Sequence, residues 1–331
     1  MSISKVPILD VRDLEVEFSV DDGKIKVLDG VSFKVQAGQT LGIVGESGCG
    51  KSVTSLAIMG LLPKPHGQVV AGSINFQGEE LLNLSPEQMY KVRGNRIAMI
   101  FQEPMTALNP VKTIGAQLVE VFTLHRPAYS KAQRKEAAIA MLRKVGMPEP
   151  ETRFNVYPHN LSGGMRQRVM IAMALSCEPD LLICDEPTTA LDVTIQAQIL
   201  ELMKELQAQT GMAILFITHD LGVVAELCDE VVVMYAGRAV ERAQIFDLFE
   251  QPHHPYTHGL MNSIPRLEDE PKTLLNTIKG QVPALFEMPA GCRFSNRCPH
   301  ASDICISQVP PMEQLQNRHA VACHHWKEIR V

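Results

Sequence analysis

The segment GESGCGKS, Gly45 to Ser52, constrains this chain more than any other stretch, because it matches G-x-x-x-x-G-K-[ST] without a gap. Before it lies TLGIVG (Thr40 to Gly45), a continuous apolar run of the kind that forms a strand buried on both faces. After it comes SVTSLAIMGLL (Ser52 to Leu62), with helical spacing. A strand that passes through a glycine turn into a helix is the setting in which this spacing holds phosphate. The glycines let the backbone wrap an anion and aim successive N–H groups at it, and the helix N-terminus adds a favourable dipole. Gly45, Ser47, Gly48, Cys49 and Gly50 are expected to line the cradle, with Lys51 reaching the outer phosphates and the Ser52 hydroxyl on Mg²⁺. Cys49 is read as a spectator that contributes its backbone N–H.

A second motif completes the site. LLICDE (Leu181 to Glu186) is a buried apolar run ending in Asp185, an acceptor for Mg²⁺ or its water. Glu186 follows and is placed to polarise an attacking water. Strand character recurs at AILFIT (Ala213 to Thr218) and EVVVMY (Glu230 to Tyr235), with the helix TIQAQILELMKELQAQ between Leu181–Cys184 and the first of them. Strands alternating with helices indicate a parallel α/β sheet. LEVEFSV (Leu14 to Val20) and VSFKV (Val31 to Val35) alternate with period two and predict an early antiparallel β region, turned at Asp21 to Gly23. Between about Pro110 and Cys177 the chain reads as helical, for example KAQRKEAAIAMLRKVG closing on Gly146, and looks like an insertion.

Composition removes several classes. The chain has 331 residues, which suggests about two domains. Its formal charge of −6 is a poor match to a general nucleic-acid binder, and no polybasic tail offers itself to anionic lipid. No run approaches the length of a membrane-spanning helix, and the N-terminus lacks a signal-peptide core. The chain is therefore expected in the cytoplasm, with any membrane link made through a partner.

The segment LSGGMRQR, Leu161 to Arg168, decides which phosphate-binding class applies, since Ser-Gly-Gly before a helix makes a further anion cradle. With it the chain resembles the ABC-type ATPases over most of Ile8 to Val240. The motifs run in the family's order: the phosphate loop, Gln102 in IFQEP, LSGG (Leu161 to Gly164), Leu182 to Asp185 with Glu186, the D-loop ALD (Ala190 to Asp192) and His219 in ITHD. Met165 stands where many members carry Gln.

The resemblance implies a fold and a mechanism. The fold is α/β, a P-loop NTPase with a parallel core sheet, an antiparallel β subdomain and an inserted helical subdomain at about 103–178. Two such domains meet head to tail, each ATP lying between the phosphate loop of one and the LSGG of the other. Carried over, Ser162, Gly163 and Gly164 contact the γ-phosphate held by the partner, and Asp192 crosses the interface. Gln102 senses Mg²⁺ and water, His219 holds the γ-phosphate and water, and Glu186 is the general base. Phe18 is the candidate for stacking on adenine, with a sheet-face role as its alternative.

The tail narrows the family. HPYTHGL (His254 to Leu260) and GCRFSNRCPHASDIC (Gly291 to Cys305) resemble the ATP-binding subunits of oligopeptide, dipeptide and nickel importers. The resemblance divides the chain into an ATPase domain at 1–245 and an importer-type extension at 246–331. Cys292, Cys298, Cys305 and Cys323 fall in this extension, which has too little apolar core to fold well alone and suggests a metal staple. Sulfur-only ligation admits Zn²⁺ or an iron–sulfur cluster, the spacing does not distinguish them, and unligated thiols are the further alternative. The family resemblance favours a [4Fe–4S] cluster. His253, His254 and His258 read as a proline-bounded turn entering a helix, and Cys177, Cys184 and Cys228 as small buried hydrophobes.

The function implied is the energy-coupling ATPase of an importer of dipeptides or oligopeptides. It would pair with a similar ATPase, dock on two membrane permeases at the cytoplasmic face of the inner membrane, and be served by a periplasmic or surface peptide-binding protein. The alternatives are an importer of nickel or haem, a soluble ABC ATPase acting on ribosomes or DNA, and a module that holds ATP without turnover. Intact Glu186 and His219 oppose the last.

Overall fold

A computed structural model describes residues 6–21, 23–102, 107–188, 192–264 and 277–329. In chain order the elements begin β1 (Leu9–Val20), β2 (Gly23–Val35), β3 (Thr40–Val44), α1 (Lys51–Ile58), β4 (Gly67–Phe76) and β5 (Ile97–Ile100). The middle holds α2 (Ile114–His125), α3 (Lys131–Lys144), α4 (Gly163–Leu175), β6 (Leu181–Asp185) and α5 (Val193–Thr210). Next come β7 (Ala213–Thr218), α6 (Leu221–Leu227), β8 (Glu230–Tyr235), β9 (Arg238–Gln244), α7 (Pro255–Asn262) and α8 (Asp303–Ser307). The short β10 (Glu313–Gln314) and β11 (Ala320–Val321) close the chain.

The chain divides into two compact units. One comprises Met1–Ile8, Val35–Gln39 and Glu80–Phe216. Within it β5 and β6 pair in parallel, Ile97 opposite Leu181 through Ile100 opposite Cys184, and every residue of both is buried. Helices α2, α3 and α4 pack on one another, and α4 also packs on β5. Each helix starts as its sequence dictates. Thr113 caps α2 through the Ala116 N–H, and Ser130 with Gln133 forms a capping box on α3. Helix α3 stops at Val145, and Gly146 takes the left-handed φ of +70° that ends it.

The other unit comprises Leu9–Lys34, Thr40–Glu79 and Ile217–Val331. Here β1 lies between β2 and β4, and pairs antiparallel with β4 from Leu9 opposite Phe76 to Phe18 opposite Gly67. Both β1 and β2 are longer than the alternation predicts. In β1 the buried positions change from Leu9 and Val11 to Leu14 and Val16, because the register shifts between Arg12 and Glu15, where Asp13 has φ +45°. In β2 they change from Leu28 to Val31 across Gly30, at φ +74°. A bulge inverts the inward parity, so a strict period-two reading recovers only the second half of each strand.

In the same unit β3 pairs in parallel with β8, and β8 with β9 antiparallel. The end of the chain extends this edge: β11 pairs with β9, Ala320 opposite Arg242, and β10 pairs with β11. Among the described residues no helix is long and apolar enough to cross a membrane.

Candidate functional site

The phosphate loop leaves β3 at Val44 and enters α1 at Lys51. Three of its glycines have left-handed φ values: Gly45 at +152°, Gly48 at +79° and Gly50, the N-cap of α1, at +100°. Gly45 is also sterically required, since a Cβ there would stand 2.2 Å from the Met234 carbonyl oxygen. A Cβ on Gly48 would meet nothing within 4 Å. Gly45→Ala is therefore expected to abolish detectable binding of a fluorescent ATP analogue. Gly48→Ala, which incurs only the backbone strain of about 1–2 kcal/mol, is expected to weaken binding by roughly tenfold. Equal effects of the two substitutions would contradict this account.

Lys51 is buried, and its ammonium donates to the carbonyls of Gly45, at 2.8 Å, and Glu46, at 3.1 Å. The cation is thus held over the loop it serves. Ser47 and Gly48 form the exposed tip, and Ser52 is half-buried in the first turn of α1. Cys49 is buried, and burial raises its thiol pKa, which accords with a spectator rather than a nucleophile.

A collar the sequence reading missed surrounds this loop. The Glu46 N–H donates to the Tyr256 hydroxyl at 2.8 Å, and the Glu46 carboxylate takes a two-pronged bond from Arg297. Tyr235, Tyr256 and Phe294 pack edge to face or tilted, with ring centres 4.7 to 5.5 Å apart. Arg293 donates to Asp29 and to the Ala236 carbonyl, and the next N–H, of Gly237, donates to the Cys49 carbonyl. Several of these residues lie in the GESGCGKS, HPYTHGL and GCRFSNRCPHASDIC segments, but no spacing in those segments shows that they meet. Their roles arise from contacts between segments up to 264 residues apart in sequence.

The other unit carries the second set of motif residues. Asp185 is buried at the end of β6. Glu186 follows with φ +48°, an uncommon conformation for a glutamate. Gln102, just beyond β5, donates from Nε2 to the Glu186 carboxylate at 3.1 Å, so the structure brings these two predicted residues together. Ser162 is the N-cap of α4, and its hydroxyl accepts the Met165 N–H at 3.4 Å, with Gly163 and Gly164 as the first helical residues. Met165 thus contributes its backbone at this cap, which any side chain permits. Gln167 of α4 donates to the Pro187 carbonyl, tying the signature helix to the turn beyond Glu186. Asp192 is the N-cap of α5, accepting the Ile195 N–H at 3.0 Å. Ala190 and Leu191 of the D-loop lie outside the described residues, as does the 103–106 segment where the helical insertion was expected to begin.

Two further predicted residues lie in the first-described loop's own unit. His219 follows β7 and is exposed, immediately before Asp220, which caps α6. Phe18 is half-buried in β1, and a Cβ on the facing Gly67 would come 3.0 Å from its ring, so the ring lies across that glycine.

Cys292, Cys298, Cys305 and Cys323 line one cavity together with His254, Phe294, His324 and His325. Burial raises the thiol pKa of Cys292, that of Cys298 to about 11 and that of Cys323 to about 12, and charge on the other cysteines of the group adds to this. Among the described residues no three or more His, Cys, Asp or Glu side chains are grouped to hold one metal ion. The histidines have other partners: His325 Nε2 meets the Ser302 hydroxyl at 2.7 Å, and His324 Nε2 meets the Gln308 carbonyl. His254 caps α7 by accepting the Tyr256 N–H, as the proline-bounded turn predicts. Cys177, Cys184 and Cys228 are buried.

Comparison with known proteins shows the family to which the chain belongs. Residues 28–189 match the family described as ABC transporter, and residues 240–305 match the oligopeptide/dipeptide transporter C-terminal region. The chain is 55% identical to a probable peptide ABC transporter ATP-binding protein of Sinorhizobium fredii, covering 97% of this chain and 96% of that protein. It is 53% identical to the oligopeptide transport ATP-binding protein OppD of Escherichia coli, over 96% and 92% of the two chains. It is 52% identical to the dipeptide transport ATP-binding protein DppD of Bacillus subtilis, over 96% and 94%. Among solved structures, the dimeric ATP-binding cassette MJ0796 bound to ADP and Pi aligns with a TM-score of 0.64 at 26% identity, over 72% of this chain and 98% of that one.

Proposed function

The chain belongs to the ATP-binding proteins of the peptide ABC transporters, and from that premise we propose the following division of work among its residues. It is an ATPase that couples hydrolysis to solute transport by an ABC importer for dipeptides or oligopeptides. The observation that carries this is near-full-length similarity to named peptide, oligopeptide and dipeptide transport ATP-binding proteins.

We assign Gly45 to Ser52 to the nucleotide phosphates, with Lys51 as their cation. Ser52, Asp185 and Gln102 are assigned to Mg²⁺, which when bound neutralises charge developing on the transferred phosphoryl group. Glu186, oriented by Gln102, takes a proton from water, and His219 holds the γ-phosphate side. Phe18 is assigned to adenine. Ser162, Gly163, Gly164 and Asp192 serve a nucleotide bound to a second ATPase domain. The two permeases and a substrate-binding protein are the remaining partners, and we place the chain at the cytoplasmic face of the membrane. A similar but non-identical ATPase is the proposed second domain. ATP favours the closed pair and hydrolysis removes that preference, and this difference in free energy is what can move the permeases.

The extension, taken as 246–331, is proposed to hold a [4Fe–4S] cluster at its four cysteines. The support is a shared cavity with four sulfur donors, and histidines engaged elsewhere. Zn²⁺ at the same four sulfurs is the alternative. The cluster would cross-link the extension and carry no step of hydrolysis.

Two experiments test these readings separately. In proteoliposomes with permeases and binding protein, di- and oligopeptides are expected to stimulate ATP hydrolysis, and stimulation by nickel or haem alone would redirect the cargo assignment. After anaerobic purification, about four irons and four sulfides per chain are expected, with a broad visible absorption that Cys298→Ser removes. A colourless, metal-free protein, or stoichiometric zinc, would overturn the cluster.

A further inference from the structure

We infer that Arg297, from the extension, is a positioning residue of the nucleotide site that acts by neutralising the Glu46 carboxylate within the phosphate loop. The inference rests on the reading that Gly45 to Ser52 binds nucleotide phosphates. Glu46 is the second residue of that loop, where a carboxylate has the wrong charge to stand beside a polyphosphate. Arg297 meets it with both prongs, Nη1 to Oε2 at 2.6 Å and Nη2 to Oε1 at 3.0 Å. The arginine side chain is 3% exposed and the glutamate 30%, so the cation is shielded from water while the anion still faces it.

The guanidinium is held from every side. Its centre lies 5.7 Å from the Tyr235 ring and 5.9 Å from the Phe294 ring. It also donates to the carbonyls of Lys279 and Ile278. Arg297 is therefore placed by the extension and its aromatic neighbours, and arrives at Glu46 preformed.

The backbone of Glu46 has separate supports. Its N–H donates to Tyr256 and its carbonyl accepts from Lys51. Removing the carboxylate leaves both bonds in place, so the electrostatic part of the interaction can be tested apart from loop geometry. A latch whose only function is to hold the loop in shape predicts that breaking it from either side weakens nucleotide binding. Charge neutralisation predicts opposite signs. Without Arg297 an uncompensated anion repels the phosphates, and without the Glu46 charge an uncompensated cation attracts them.

The test measures the dissociation constant of a fluorescent ATP analogue with Mg²⁺ on the full chain. Arg297→Gln is expected to raise it about tenfold, and Glu46→Gln to lower it about threefold. The double variant is expected within about twofold of the parent, a non-additive result that identifies the pair as one unit. Raising the salt from 0.05 M to 0.5 M is expected to shrink the Arg297→Gln defect, since the repulsion is screened. An Arg297→Gln variant that binds like the parent overturns the inference. So does a Glu46→Gln variant that binds more weakly than the parent, and this second measurement stands even where Arg297→Gln does not fold. Lys51→Ala is the control for the underlying reading. Parental binding by that variant would place the fault in the phosphate-loop assignment rather than in Arg297.

Discussion

Glu186→Gln is expected to lower the ATPase kcat by about 10²–10⁴-fold while ATP still binds within about threefold of the parent. Such a loss corresponds to about 3–5 kcal/mol of transition-state stabilisation. The reason lies in what the side chain is arranged to do. Asp185 ends a strand buried along its whole length, so the next residue is delivered from a rigid support. Glu186 then turns out with φ +48°, a strained conformation of the kind found where geometry serves chemistry. Gln102 orients the carboxylate through a 3.1 Å bond. The amide of Gln keeps the size and the hydrogen-bond contact with Gln102 but cannot accept a proton from water. Gln102→Ala leaves the base in place and frees its orientation, so a smaller loss, about tenfold in kcat, is expected. Steady-state hydrolysis and nucleotide titration on the same preparations decide the matter. Persistent turnover in Glu186→Gln would assign the proton to another group, and loss of binding would mean that the carboxylate helps to hold nucleotide.

Glu241→Leu is expected to destabilise the protein by about 3–5 kcal/mol, since it removes a buried charge and leaves its donors without an acceptor. Glu241 is fully buried in β9. It accepts the His253 N–H at 2.6 Å and the His254 N–H at 3.0 Å, and meets His319 Nε2 at 2.7 Å. One side chain thus joins β9 to the turn before α7 and to the strand edge at the end of the chain. A thermal-melt midpoint lower by about 5–15 °C is the expected readout. A shift under about 2 °C would show that water or rearrangement satisfies these donors.

The same cluster sets an acid limit. Burial pushes the Glu241 carboxyl upward, but the bond from His319 and the N–H groups of His253 and His254 outweigh it and hold the pKa below the ordinary value. A carboxylate depressed in the fold contributes stability above its unfolded pKa, lost as pH falls through the folded value. Complete burial holds His254 at about 4, against the charge of Glu241, and its neutral Nδ1 accepts the Tyr256 N–H. Unfolded, that ring binds a proton near pH 6.5, so between about 6.5 and 4 the unfolded chain gains a proton that the folded one refuses. Both effects have one sign: stability is expected to be complete above about pH 6.5 and to decline steadily toward pH 4. Urea unfolding across that range measures the slope, and a flat profile would contradict the burial of His254 as a neutral ring.

The motifs to which we assign the nucleotide chemistry were legible in the sequence because each is a local device. A glycine turn between strand and helix and a Ser-Gly-Gly cap are shaped by backbone form within a few residues, and an Asp-Glu pair after an apolar run is placed by the strand it ends, so spacing carries their geometry. The helical middle was legible for a similar reason, since Ser130 with Gln133 and Gly146 mark their helix ends within the chain. The full lengths of β1 and β2 were hidden by a register shift near Asp13 and by the left-handed Gly30, across which the buried parity inverts without a compositional mark. The contacts that Tyr256 and Arg297 make with the Gly45–Ser52 loop were hidden more deeply. Arg297 and Tyr256 fall in the two importer-like segments, GCRFSNRCPHASDIC and HPYTHGL, but nothing in either segment points to Glu46. Their contact with Glu46 crosses 251 and 210 residues of intervening chain. Sequence by itself thus determined the kind of phosphate chemistry, because that depends on short-range backbone form. Tertiary structure alone decided which distant charges and rings surround the phosphate loop, because Coulomb forces and packing act through space and are indifferent to separation along the chain.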